Sequence, residues 1–549
     1  MSANLREQKI IIIDCQSTAA APDRGYLLEI AWAVVSATGI LRERKPEIHS
    51  FLLALPEGEI IPSRISRMTG ITDEMLQDSI VPYEAWQLIR SAFEGGIPVA
   101  HFAQFEQRWM DNLYSLHSSD DSAPQILCTR EIARRLYPGL PRKGLRAVSG
   151  YLGYSMQEEK RAANHVRTNI AIWKKMVSDL EDSGITTLEQ LFEFLEESPP
   201  IHKTSWNYPM PRHRRLSLPD VPGVYRFLSK GGEVLYVGKA SSLRSRVNSY
   251  FTKRKADGKT LELVSQVYDV SIDQCETPLE AALLEFETIR ELHPPYNIAL
   301  KNPWRKVVFL SPDLSSWSYS PGSEISIGPV PEDSPALLLN DLLISLSEGT
   351  VPGPDVLGLD YFPVEDGALE EGFSFFREEY FPHGSMSMEA FLSAGKWIWL
   401  RRHEEDTQED QVQETVEVIN SERVKKHLEW LTAAGSRDVR QAAWFCLLGW
   451  AVIEWNPSMK ENSRVLNIEA GRAISSDWVL PSSPIELKTH DQKSTLERQH
   501  LLDSGNFSRL RILNTELRRI SVSGELKQIH IRGNRSLNQQ KLSALYRFI

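Results

Sequence analysis

The chain has 549 residues, 41% of them apolar and 25% charged, with a net charge of −11. At about 150 residues per domain this length predicts three or four domains, and the composition is that of a globular protein rather than a disordered or fibrous one. No run of about 18 apolar residues occurs, so the reading predicts no spanning helix and no membrane partner.

The N-terminal MSANLREQKIIIIDCQ has only a short apolar run ending at Asp14, which reads as a first strand rather than a secretory signal. Cys15, Cys128, Cys275 and Cys446 lie far apart with no CxxC pair, which argues against zinc or iron–sulfur sites and suits free thiols in a reducing cytoplasm. The acidic balance is uneven. Between Lys239 and Lys259 seven basic residues (Lys239, Arg244, Arg246, Lys253, Arg254, Lys255, Lys259) face one acid, Asp257, and a second basic stretch runs from Arg509 to Arg547. Nucleic-acid binding follows the local field, so such stretches keep that partner open, although a solvated face is the commoner meaning of either.

KIIII reads as a buried strand and LLEIAWAVVSA as a second. Helical periodicity follows in YEAWQLIRSAF, CTREIARRLY and TNIAIWKKMVSDLEDS, predicting an α/β domain over 1–182. Residues 183–213 read as a short helix, ITTLEQLFEFLEES, and a basic linker, IHKTSWNYPMPRHRR, without periodicity. The next domain is predicted over 214–302. Beyond it the texture changes, and helices return in MEAFLSAGKWIWLRRH and in SERVKKHLEWLTAA through RQAAWFCLLGWAVIEW.

The central segment carries the chemistry. GVYRFL and EVLYVG, joined by Gly-Gly, read as a hairpin, and Gly238 lets the backbone turn closely before a helix capped by Ser241 or Ser242. Arg246 and Tyr250, four apart, share a face of that helix, with Lys239 at its entrance. In TPLEAALLEFETIRELHP, Glu285 interrupts an apolar run, where a carboxylate needs a basic side chain or a metal. Phosphodiester hydrolysis needs a cation on the phosphate, a basic group for developing charge and a group that orients water. A single carboxylate with waters suffices for Mg²⁺.

These elements, in order from PGVY to PPYN, resemble the GIY-YIG nuclease family, most closely the N-terminal nuclease domain of the UvrC and Cho excision-repair endonucleases. The resemblance implies a small α/β domain. In it Tyr225 serves as general base or water-positioning group and Tyr236 is the second motif tyrosine. Lys239, Arg246 and Tyr250 contact the phosphate, Glu285 holds Mg²⁺ or Mn²⁺, and Asn297 closes the motif. Arg244, Lys253, Arg254, Lys255 and Lys259 would bind nucleic acid.

Residues 9–180 resemble the DEDDh exonuclease family through IIIIDCQST, IPSRISRMTGITDEML, HFAQFEQRWM, CTREIARRLYPGLPRKGLRAVSGYLGY and NHVRTNIAIW, which implies an RNase H-like fold. Such enzymes hold two metals with four carboxylates and activate water with a histidine. Asp14 is kept, but Gln16 stands where the family needs glutamate and Glu106 where it needs aspartate. His165 is in place, while Ile170 replaces the last aspartate beside Asn169. An amide cannot offset dication charge and isoleucine offers no ligand, so the exonuclease is expected to be inactive.

ISIGPVPEDSPALLLNDLLISL resembles the segment after the UvrC and Cho nuclease domain, where a Gly-Pro turn precedes a helix. The rest of 303–549 reads as a mixed region of unknown fold, with its tryptophans in the core and two subdomains conceivable. The chain is thus expected to be an α/β multidomain endonuclease making single-strand incisions in damaged, branched or duplex DNA, with a repair protein as a possible partner. A non-catalytic DNA-binding scaffold with two nuclease-like folds, or an RNA-directed nuclease, stays open.

Overall fold

Ile10–Ile13 are β-branched and wholly apolar, which suits a strand buried on both faces, and on β1 (Ile10–Ser17) they are 0–1% exposed. The computed structural model describes residues 4–36, 46–118, 121–154, 156, 160–200, 206–252, 257–297, 306–354, 357, 359, 363–382, 387–405, 418–457, 461–480, 494–531 and 535–547. β1 pairs antiparallel with β2 (Leu27–Val35), and β2 with β3 (His49–Leu52). On its other side β1 runs parallel to β4 (Ile97–Ala100), which pairs with β5 (Leu127–Cys128). The order β3-β2-β1-β4-β5 is that of an RNase H-like exonuclease fold.

The helices are α1 (Ser63–Thr69), α2 (Pro82–Phe93), α3 (Gln104–His117), α4 (Thr129–Leu136), α5 (Leu145–Leu152) and α6 (Ala162–Asp182). Strand alternation sends Ile10 and Ile12 against Trp173 and Met176 of α6, and Ile11 and Ile13 against Trp86, Trp109 and Met110. The start of α6 is anchored by Glu29, which is 0% exposed. Its carboxylate accepts from Arg161 Nη2 (2.9 Å), the Ala162 amide (2.9 Å) and Ser50 Oγ (2.9 Å).

The fold does not stop at 182. α7 (Leu188–Glu196), opened by a Thr187–Gln190 capping box, buries Leu191 in the same core as Leu5. The linker reading is corrected at its other end too. Residues 201–205 lie outside the described residues, but Met210 is buried in the next fold's core and Arg212–Leu216 form a short helix, α8. That second fold is an antiparallel sheet, β7-β6-β8, of β6 (Gly223–Leu228), β7 (Val234–Ala240) and β8 (Asp269–Gln274). With it come α9 (Leu243–Thr252), α10 (Gly258–Val264) and α11 (Pro278–Leu292). Tyr225, Phe227, Leu243, Val247 and Phe251 fill its core.

The chain divides into two compact units, Met1–Ala281 with Glu291–Ile298, and Ala282–Arg290 with Ala299–Ile549, so the boundary runs through α11. In the second unit β9 (Val307–Leu310), β10 (Trp317–Ser318) and β11 (Ile327–Pro331) form one sheet. Gly328 and Pro329 sit at an irregularity of β11 rather than in a turn. The helices α12 (Leu339–Glu348), α13 (Ala368–Tyr380), α14 (Met388–Glu405) and α15 (Ser421–Leu448) follow. The helical reading of WAVIEW fails, because α15 ends before Gly449 and the β-branched Val452 and Ile453 open β12 (Val452–Trp455). β12 is central in an antiparallel sheet, β14-β13-β12-β15-β16, with β13 (Ser463–Glu469), β14 (Arg472–Val479), β15 (Leu526–Ile531) and β16 (Arg535–Asn538). Short α16 (Thr495–His500), long α17 (Ser504–Val522) and α18 (Gln539–Tyr546) accompany it.

Trp444, Trp450 and Trp455 are core residues as expected, whereas Trp397 is 53% exposed. Arg509 of α17 is not on a solvated face. It is buried and bonds Glu287 of the α11 segment in its own unit, Nη2 to Oε2 at 3.1 Å. The four cysteines are free thiols, and among the described residues no helix is long and apolar enough to cross a membrane. Removing one partner of a buried ion pair strands the other, so Glu29→Ala is expected to cost about 3 kcal/mol. Urea denaturation of the variant beside the parent checks this, and a loss near zero would show that Glu29 does not anchor α6.

Candidate active site

The hairpin β6–β7 puts Tyr225 opposite Gly238 and Val224 opposite Lys239. Tyr225 is fully buried, and its ring lies 6.2 Å from Tyr236 and 6.1 Å from Tyr250. Its hydroxyl donates to the Tyr250 hydroxyl at 2.9 Å. Gly238 is required by this packing rather than by a turn: a Cβ there would lie 2.3 Å from the Tyr225 oxygen. Ser242 Oγ accepts from the Ser245 amide (3.2 Å) at the start of α9, and one turn further in the Arg246 guanidinium lies 5.3 Å from the Tyr250 ring centroid. Burial pushes the Tyr225 phenol well above its ordinary pKa. Tyr250 and Tyr236 push the same way and Arg246 the other, so the phenol stays neutral at physiological pH.

Asn297 is buried and does not face this cluster. Its Oδ1 accepts from the Val237 amide (2.9 Å) and its Nδ2 donates to the Val237 carbonyl (2.8 Å), while the Tyr296 amide bonds the Leu235 carbonyl (3.1 Å). These are groups on the open edge of β7, so residues 296–297 act as a short substitute strand. Tyr296 was not singled out in the sequence, and only its neighbour Asn297 pointed there.

The structure therefore brings Tyr225, Tyr236, Arg246 and Tyr250 together, with Lys239 half-buried on β7 and Asn297 behind it. Glu285 is half-buried in the middle of α11, in the segment grouped with the second unit. A half-buried carboxylate can hold one divalent ion that keeps most of its waters, so its chemistry fits a single-metal site. Arg244 and Lys259 are exposed, and the Arg244 Nε bonds the Leu218 carbonyl at 2.7 Å. Lys253, Arg254 and Lys255 lie outside the described residues.

In the N-terminal fold Asp14 and Gln16 sit on β1, Glu106 on α3, and His165 and Asn169 one turn apart on α6. His165 Nδ1 lies 3.1 Å from Asp14 Oδ2, and Gln16 Nε2 reaches the same oxygen at 3.4 Å. Burial raises the Asp14 carboxyl despite the His165 bond. Burial works to lower His165, yet Asp14 outweighs it and the imidazole is raised. Glu106 is 3% exposed, its Oε2 has no hydrogen-bond partner, and burial with the Asp14 charge pushes it well above the usual range. Asn169 Oδ1 accepts from Thr129 Oγ1 (3.0 Å), and Ile170 is core. This donor set does not fit a pair of metal ions: one carboxylate is already bonded to a histidine, and Gln16 and Ile170 supply no charge. Among the described residues no group of three or more His, Cys, Asp or Glu side chains is placed to hold a metal.

A family model described as the UvrC-like GIY-YIG domain matches residues 221–298, and one described as Exonuclease matches residues 11–172. The chain carries both domains. It is 27% identical over 312 residues to a putative bifunctional exonuclease/endonuclease protein of Mycobacterium tuberculosis (strain CDC 1551 / Oshkosh), covering 55% of this chain and 46% of that protein. It is 47% identical over 103 residues to the UvrABC system protein C of Psychrobacter sp. (strain PRwf-1), covering 19% of this chain and 17% of that protein. The chain thus matches less than half the length of either relative. Among solved structures, the GIY-YIG N-terminal endonuclease domain of UvrC from Thermotoga maritima, bound to magnesium, is 31% identical, covering 16% of this chain and 93% of that chain with a TM-score of 0.15.

Two outcomes follow from the geometry. Gly238→Ala must displace the Tyr225 hydroxyl and is expected to cost about 1–3 kcal/mol as an overpacked core; stability like the parent's in chemical denaturation would refute the contact. Glu106 resists ionisation in the fold, so the native state binds more protons than the unfolded chain above the ordinary carboxylate pKa, and stability is lost as pH rises through the raised value. Glu106→Gln is therefore expected to be more stable than the parent at pH 7, with the gain vanishing as pH falls to about 4. Thermal unfolding across that range reads the sign.

Proposed function

We propose that this protein is a divalent-metal-dependent endonuclease of the GIY-YIG type, making a single-strand incision in DNA during repair or the processing of damaged or branched molecules. The observation that carries this reading is the buried Tyr225 hydroxyl bonded to Tyr250 beneath an exposed Arg246. The matches to the UvrC-like domain and to nuclease relatives support it.

Glu285 would hold Mg²⁺ or Mn²⁺, which when bound offsets phosphate charge as the phosphodiester is cleaved. Arg246 presents its fork of donors to a phosphate oxygen, where new charge develops, and Lys239 adds a point charge. The Tyr225 hydroxyl has its proton engaged by Tyr250, so toward a water it would act as an acceptor. Because the phenol resists ionisation, the arrangement favours orienting that water over abstracting its proton. Asn297 keeps β7, and so Tyr236 and Lys239, in register. The N-terminal fold contributes no step, because its remaining carboxylates do not make a two-metal site.

The test is incubation of the whole protein with end-labelled damaged, branched and plain duplex DNA plus Mg²⁺ or Mn²⁺. Internal nicks with 5′-phosphate and 3′-hydroxyl ends are expected. Glu285→Gln should abolish them and Asp14→Ala should leave them. Arg246→Ala should slow cutting at least about 100-fold, the scale of losing one charge-stabilising group. Cutting at the parent rate by Glu285→Gln would remove Glu285 as metal ligand, and 3′ degradation eliminated by Asp14→Ala would reassign the activity to the N-terminal fold.

A further inference from the structure

The two nuclease-type folds of the first unit meet at several side chains, and Tyr296 is one of them. Tyr296, 5% exposed, donates its hydroxyl to Glu262 Oε1 (2.7 Å) and accepts from Gln266 Nε2 (2.5 Å), both from the α10 region of the same fold. Over its ring, 4.8 Å from the centroid, lies the guanidinium of Arg146, which belongs to α5 of the exonuclease domain and also faces Glu262 at 3.8 Å. Around it the folds meet tightly. A Cβ on Gly150 would come within 2.0 Å of Gln266, and the Tyr268 hydroxyl bonds the Tyr151 carbonyl. Arg146 Nε is buried there without a hydrogen-bond partner, a cost that stacking and the Glu262 charge must offset.

Tyr296 and Asn297 are the residues that close the edge of β7. Whatever holds the Tyr296 ring also fixes where the Asn297 amide meets Val237, and Val237 lies between Tyr236 and Lys239. We propose that Arg146 is a positioning residue for the GIY-YIG site: the exonuclease domain, whose own site lacks half its carboxylates, uses it to hold the 296–297 turn and thereby the strand that carries Tyr236 and Lys239. This inference rests on the nuclease reading for its consequence in cutting, but its structural half stands on contacts within the first unit. A free edge strand frays, and the bond to Asn297 Oδ1 protects the Val237 amide only while the turn is seated.

The experiment uses the full chain and two readouts. Hydrogen–deuterium exchange over 234–240 is expected to quicken about tenfold in Arg146→Ala, as for a seat weakened by one stacked cation. It should recover in part in Arg146→Lys, which keeps the charge for Glu262 but loses the planar stack. On labelled duplex DNA with Mg²⁺, kcat should fall about tenfold while KM stays within about twofold, since Lys239 acts at the reacting phosphate and the exposed Arg244 and Lys259 are left in place. Tyr296→Phe keeps the ring under Arg146 and loses the Glu262 and Gln266 bonds. It should loosen the same segment less, and Arg146→Lys decides the matter if Arg146→Ala does not fold. Parent-like exchange over 234–240 in these variants overturns the proposal, as does a uniform rise across the whole unit, which a purely structural role would give. Exchange is read whether or not DNA is cut. If neither the parent protein nor Glu285→Gln cuts, the nuclease reading fails, while changed exchange still locates the positioning role.

Discussion

The arrangement around Tyr225 depends on how an unpaired strand edge is closed. β7 has β6 on one side only, and the two outward groups of Val237 would otherwise face the interior without partners. One asparagine side chain satisfies both at once, and the neighbouring backbone amide takes the carbonyl two residues earlier. With β7 held straight, Gly238 passes beside the Tyr225 hydroxyl without a Cβ in the way, and the phenol can reach Tyr250. Strand pairing thus sets the places of Tyr225 and Tyr236, while Tyr250 comes from α9.

Much of this was legible in the sequence. The hairpin announced itself through alternation and Gly-Gly, and the shared face of Arg246 and Tyr250 follows from four-residue spacing on a helix. What was not legible depended on partners far along the chain. Tyr296 bonds residues about thirty positions earlier and stacks under one about 150 earlier, and PPYN has no periodicity that would reveal it. The folds reach past 182 through the helix of Leu191, whose neighbours Leu188 and Leu195 pack on the same core, and start before 214 through Met210, which lies between two prolines. The overrun of α15 into WAVIEW has a different cause, since a continuous apolar run fits a buried helix or a buried strand equally.

The two folds of the first unit handle charge in opposite ways. In the exonuclease domain Asp14 is bonded to His165 and Glu106 is pushed toward its neutral form, so charge there is met from within the fold. In the GIY-YIG domain Arg246 remains exposed above its tyrosines, and charge is offered outward.

The contact at Gly150 bears on how such a molecule can be taken apart. Two folds that meet where even a methyl group would collide do not behave as independent beads on a tether. A fragment beginning near 206 would bare Gln266, Tyr268 and Tyr296 to water and lose the cation above the last of them. Excision at the apparent domain boundary would therefore trade solubility for simplicity. Here the two folds are better kept together, and an insertion or fusion is better tolerated at the outer surface of either than in the seam between them.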